Sequence, residues 1–161
     1  MSSDHPGEQN IGYGLLAGTL AATAYVGAME IDIALSHYPS SDLQLIEGLV
    51  RVRGRPSRVP WVGFLGHLAN GAGLGAIYAL VQRWLPGPAW LRGILFSEGF
   101  LLLIWPTTPL LDRFHPLIRQ GQLPPFARRI AFCQNLSRHL VFGLVLGESL
   151  RLLKRRASAQ R

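Results

Sequence analysis

Residues 11–29 read IGYGLLAGTLAATAYVGAM, nineteen positions without a charge. At about 1.5 Å of rise per residue, such a run crosses most of a hydrocarbon core roughly 30 Å thick. The chain continues through EIDIAL towards Pro39, so a first membrane span is expected over residues 11–35. Three further apolar stretches, over 61–82, 91–111 and 127–152, predict the remaining spans. The fold class expected is all-α: an integral membrane bundle of four transmembrane helices, with one or two short interfacial helices in the loops. Residues 1–10 form a polar N-terminal tail and 153–161 a basic C-terminal tail, around one transmembrane domain over 11–152.

Composition agrees. Of 161 residues 48% are hydrophobic and only 16% charged, against about 25% in an average soluble domain. The net charge of +7 is almost all arginine, with Lys154 the one lysine. In a soluble protein the clusters Arg51, Arg53, Arg55, Arg58 and Arg151, Arg155, Arg156 would point to nucleic acid. Beside apolar spans they point to anionic lipid headgroups, and no nucleic-acid partner is expected. Arg51, Arg53, Arg55, Arg58, Lys154, Arg155 and Arg156 are the expected headgroup contacts. No Lys or Arg precedes the first apolar run, so it lacks the basic flank of a secretory signal and should be retained. A bacterial inner (cytoplasmic) membrane is the expected location. The lone Cys133 excludes an internal disulfide.

Ser40, Ser41 and Asp42 offer a helix N-cap, and residues 42–50 are expected as an interfacial helix with Leu43, Ile46 and Val50 on its apolar face and Glu47 away from it. The connection 112–126 is expected along the interface too. Trp61, Trp84 and Trp90 mark membrane boundaries. Pro106 and Pro109 should kink or end the third helix. Four spans put both termini on one side. Seven basic residues then lie on that side and eight on the other, so charge does not set orientation. A three-span arrangement with the last segment on the surface would group nearly all of them, and it competes because that segment carries Arg138.

Small residues line two helices: Gly14, Gly18 and Ala22 on the first, Gly71 and Gly75 on the second. Such faces allow close backbone approach in lipid. They serve packing within the bundle, or they receive a flat ligand or a partner helix. Polar residues inside the spans are the other signal, because charge in a bilayer is costly and faces protein or a cavity. Glu30, His67 and Gln134 come to similar depth, Asn70 and Arg138 about a turn deeper, and Glu98 nearer the termini. His139 flanks the Arg138 face. This set predicts a buried network with Arg138 neutralised by Glu30 or Glu98, or else a proton or ion path. His67 or His139 would be the metal ligand if haem or a chlorophyll-type pigment were bound; a carotenoid would need only the small-residue faces. His5, His37 and His115 are expected to be solvated.

No phosphate-binding loop, zinc-protease helix, di-iron motif or serine triad is present. The expected function is therefore a small non-catalytic membrane protein. It would be an accessory or structural subunit packing through Gly/Ala faces into a larger respiratory or photosynthetic complex, in contact with pigment or lipid. Its partners would be membrane lipids and other transmembrane proteins or further copies of itself. The rival is an oligomeric transporter or proton/ion-conducting protein using the intramembrane Glu, His and Arg residues.

Overall fold

A computed structural model describes residues 6–50 and 61–160. Arg51, Arg53, Arg55 and Arg58 of the first connector, and His5, lie outside the described residues. Helices run over α1 (Pro6–Ser36), α2 (Asp42–Val50), α3 (Trp61–Val81), α4 (Ala89–Ile104), α5 (Thr108–Phe114), α6 (Pro116–Arg119) and α7 (Arg129–Ala159). Four helical stretches are long and apolar enough to cross a membrane: Asn10–Ser36, Trp61–Trp84, Ala89–Phe114 and Arg129–Ala159.

Each boundary has a local cause. α1 ends where His37 takes a left-handed conformation (φ 55°) and its N–H bonds Ile33 O at 3.0 Å, with Pro39 barring continuation. Along the bilayer, the hydroxyls of Thr19 and Thr23 bond back to the carbonyls of Leu15 and Thr19, which satisfies them where water is absent. The third span does not stop at its prolines. It passes from α4 through a 3₁₀ turn, Trp105–Thr107, into α5. Pro109 has no N–H for the Trp105 carbonyl, and the Thr108 hydroxyl supplies a donor at 2.8 Å instead.

The spans are arranged in the order α3, α1, α7, α4. α1 packs on α3 and α7, α7 also packs on α4, and α3 meets α4 through Tyr78, whose ring packs on Phe96 and whose hydroxyl donates to Ala89 O at 3.4 Å. α7 is thus central, with Arg138, Leu146 and Leu150 fully buried, and the three-span alternative with a surface helix fails. Glycine makes both lateral contacts. A Cβ on Gly18 would strike the Gly71 carbonyl, and one on Gly75 the Gly14 carbonyl. Gly93 and Gly143 meet in the same way between α4 and α7, and Gly147 lies against Ala89. Gly14, Gly18, Ala22, Gly71 and Gly75 are therefore spent inside the bundle, and a partner has no access to them. Sequence could not separate these uses, because both need the same small side chains.

α2 forms with the expected bounds, capped by Ser41, whose carbonyl receives the Leu45 N–H at 3.0 Å. Its packing differs from the expectation. It folds onto α3, with Leu43 against Gly63 and Ile46 against Gly66, while Glu47 is buried and Leu49 and Val50 are exposed. His115 is also buried rather than solvated. Its Nε2 lies 2.9 Å from Leu45 O, and Gly48 rests on His115 and Leu117. The second connection thus packs on α2.

That connection is tied to the last span by Asp112, whose carboxylate accepts the Phe126 N–H at 2.7 Å and the Ala127 N–H at 2.9 Å. Tyr38 adds a bond to Pro125 O at 2.6 Å; burial pushes its phenol above the ordinary value and keeps it a donor, with Arg128 opposing. Asp112→Ala is expected to cost about 1.5–3 kcal/mol, the range for a hydrogen bond to a charged group. Thermal unfolding in detergent measures it, and an unchanged midpoint would remove Asp112 from the account.

Candidate functional site: a polar-floored cleft between α3 and α4

The polar residues of α7 sort into two neighbouring groups. In the first, Arg138 is fully buried and uses all five of its N–H bonds. Nε donates to Asp32 Oδ2 at 2.5 Å and one Nη2 proton to Asp32 Oδ1 at 2.6 Å, a bidentate pair. Nη1 donates to Ser40 O at 2.8 Å and Asp42 Oδ2 at 3.1 Å, and the second Nη2 proton meets Ser40 Oγ at 3.3 Å. Gln134 extends the group: its amide nitrogen reaches Asp32, Ser36 and Tyr38 O, and its oxygen accepts from Ser40 Oγ. A guanidinium inside the bundle is thereby charge-paired and fully hydrogen-bonded, the condition under which burial is tolerated.

The expected partners of Arg138 are corrected. Glu30 is exposed and Glu98 makes no ion pair with it; the counter-charges are Asp32 and Asp42. The signal was present in α1. Tyr25, Met29 and Asp32 follow at helical spacing on the face that Ala17, Ala21 and Ala22 bury, whereas Glu30 lies two positions, about 200°, away from Asp32. Asp42 and Ser40 could not be read, since they come from the returning loop.

The second group lines a cleft of about 220 Å³ between α3 and α4, beside the contact of Tyr78 with Phe96. Its floor is Tyr25 of α1 with Asn135 and His139 of α7. His67, Asn70 and Gly71 form one wall, Phe96, Ser97 and Phe100 the other, and α2 closes one end with Asp42, Leu45 and Ile46. Tyr25 joins the two groups: its hydroxyl lies 2.7 Å from Asp42 Oδ2 and 3.0 Å from Asn135 Oδ1. Its single proton goes to the charged acceptor. Both imidazoles pack on the Tyr25 ring, at centroid distances of 4.8 Å for His67 and 5.5 Å for His139.

The protonation of His139 follows from its partners. The Ser97 hydroxyl donates to His139 O at 2.9 Å, so that proton is taken. His139 Nδ1 lies 3.1 Å from both Ser97 Oγ and Ser97 O. Facing two acceptors, it must carry the hydrogen, and a neutral ring then leaves Nε2 as a lone pair. On α3, His67 is 9% exposed and its Nε2 has no hydrogen-bond partner. A buried polar atom without a partner is rare and asks for one. Sequence reasoning found His67, Asn70 and His139. It missed Tyr25, which carries no charge, and Ser97, whose hydroxyl and carbonyl both lie 3.1 Å from His139 Nδ1. Glu98 does not line the cleft, and both of its oxygens are buried without partners. Among the described residues no cluster of three His, Cys, Asp or Glu could hold a metal ion.

The chain belongs to DUF6789, a family of unknown function whose profile matches residues 8–161. No curated protein and no solved structure matches it.

Proposed function

We propose that this is a small non-catalytic protein of the inner membrane that holds a lipid-soluble molecule by its polar head in the cleft between α3 and α4. The observation that carries the reading is the buried His67 Nε2, without a hydrogen-bond partner among the described residues, on the wall of the cleft. The walls are aromatic and aliphatic, with Phe96, Phe100, Phe142 and Leu74 around a few polar groups, the usual make-up of a small-molecule site. Volume narrows the class. A dry cavity of about 150 Å³ takes benzene, and drug-sized ligands need roughly 300–1,000 Å³. A cleft of about 220 Å³ suits one substituted ring carrying hydroxyl or carbonyl groups, with an apolar tail left among the lipids. An all-helical design supports an inner membrane, since spanning proteins of outer membranes are β-barrels. Docking into a larger complex through the Gly/Ala faces has no such support, because those faces are occupied.

A second reading has one observation in its favour. His139, with Nδ1 held by Ser97 and Nε2 free, is oriented as axial metal ligands are, so a tetrapyrrole held by His139 alone is the alternative. Cleft volume opposes it.

Purification with native lipids, followed by mass analysis and an absorption spectrum, tests both. A ring-headed lipid-soluble molecule at about one per chain is expected. His67→Ala or Asn70→Leu should lower its retention about tenfold, the effect of a lost buried hydrogen bond. Visible absorption bands that vanish in His139→Ala would favour the tetrapyrrole. Protein that carries nothing, yet conducts protons in liposomes until Glu98→Gln stops it, would replace both with the transport reading.

A further inference from the structure

At the end of the bundle that bears the termini, a second cavity of about 640 Å³ lies between the end of α3, the start of α4 and the C-terminal part of α7. Three cations line it, each from a different element: Arg83 after α3, Arg92 on α4 and Lys154 on α7. Among the described residues no carboxylate lines it; the remaining lining residues are Asn10, Ala79, Leu80, Gln82 and Trp84. The neighbouring acid Glu148 is already paired with Arg151 at 2.5 Å. Arg92 Nε is enclosed and has no hydrogen-bond partner. Arg83 is held over the Trp84 ring at 4.3 Å, which fixes one charge at the depth where interfacial tryptophans lie.

We infer that this cavity is a binding site for an anionic phosphate group, separate from the cleft between α3 and α4. Three positive charges lining one cavity, with no counter-ion among the described residues, repel one another, and an anion there relieves that repulsion. Arginine and lysine together suit phosphate, the guanidinium as a planar donor and the ammonium as a point charge. Ala79 and Leu80 on the rim offer an apolar surface where the acyl chains of a phospholipid would start. An anionic phospholipid headgroup and free phosphate share this chemistry, and the experiment tells them apart.

Delipidated protein in detergent is titrated with phosphatidylglycerol, with phosphatidylcholine and with inorganic phosphate, and thermal unfolding is followed. Phosphatidylglycerol should raise the unfolding temperature at concentrations where phosphatidylcholine does not. Each charge removed should weaken the effect about fivefold, so Arg92→Gln/Lys154→Gln should weaken it about twenty-five-fold. If that double variant does not fold, the exposed Arg83→Gln gives the single-charge step on its own. Stabilisation by inorganic phosphate at equal concentration, lost in the same variants, would assign the site to free phosphate. Equal stabilisation by the zwitterionic lipid, or variants that respond like the wild type, would overturn the inference.

Discussion

Arg138→Met destabilises the bundle by about 3–5 kcal/mol, the expected cost of removing one partner from a buried ion pair. Methionine keeps much of the side-chain volume, so the loss is electrostatic rather than a cavity. Asp32 and Asp42 are left facing each other with side chains only 19% and 16% exposed, and Ser40 O loses its donor. The loop that these bonds hold carries α2, and α2 closes one end of the cleft. Unfolding in detergent, monitored by circular dichroism, should begin well below the wild-type temperature, and the cleft ligand should be lost with it. Adding Asp32→Asn and Asp42→Asn to Arg138→Met removes the unpaired charges and should restore most of the stability. If the triple variant were no better than the single one, packing rather than charge would be what Arg138 supplies.

The legible part of this molecule is the part written locally. Long uncharged runs mark the spans regardless of what they touch, and Ser41 marks the start of α2 through its hydroxyl, which accepts the Gln44 N–H at 3.4 Å. Arg138 and Gln134 stand out because a bilayer makes polar side chains conspicuous. Their partners do not stand out, for a physical reason. Depth counted along a helix places Glu30 and Asp32 within 3 Å of each other, yet a rotation of about 200° sends one to lipid and the other to Arg138. Depth carries no rotation, which in α1 is written instead in Tyr25 and Met29 on its buried face. The return of 36–42 over the bundle, and the rise of His115 under α2, depend on contacts between segments tens of residues apart. No periodicity encodes them. The cleft is harder still, since it opens where two helices that touch through Tyr78 and Phe96 draw apart, and a space between helices leaves no pattern in either sequence.

The glycine contacts yield the second large effect, and they bear on what the small-residue faces are for. Gly18→Ala puts a methyl group into the Gly71 carbonyl, and Gly75→Ala one into the Gly14 carbonyl, where only backbone can yield. Each should cost about 1–3 kcal/mol as overpacking, and Gly18→Leu more, because α1 and α3 must separate along their whole contact. Gly27 and Gly73 lie on the same two helices, and Gly99 on α4, with nothing within 4 Å of a Cβ. Alanine there should be neutral or stabilising by about 0.5–1 kcal/mol, since glycine inside a helix is the poorer choice. The contrast between the two sets, measured as unfolding temperature in one detergent, separates intramolecular packing from docking. A docking face would leave the isolated chain as stable as before and lose only a partner. Gly71 also lines the cleft, so Gly18→Ala should weaken ligand retention without touching a ligand contact, whereas Gly27→Ala should not. Equal stability in both sets would mean that α1 and α3 do not approach through these glycines at all.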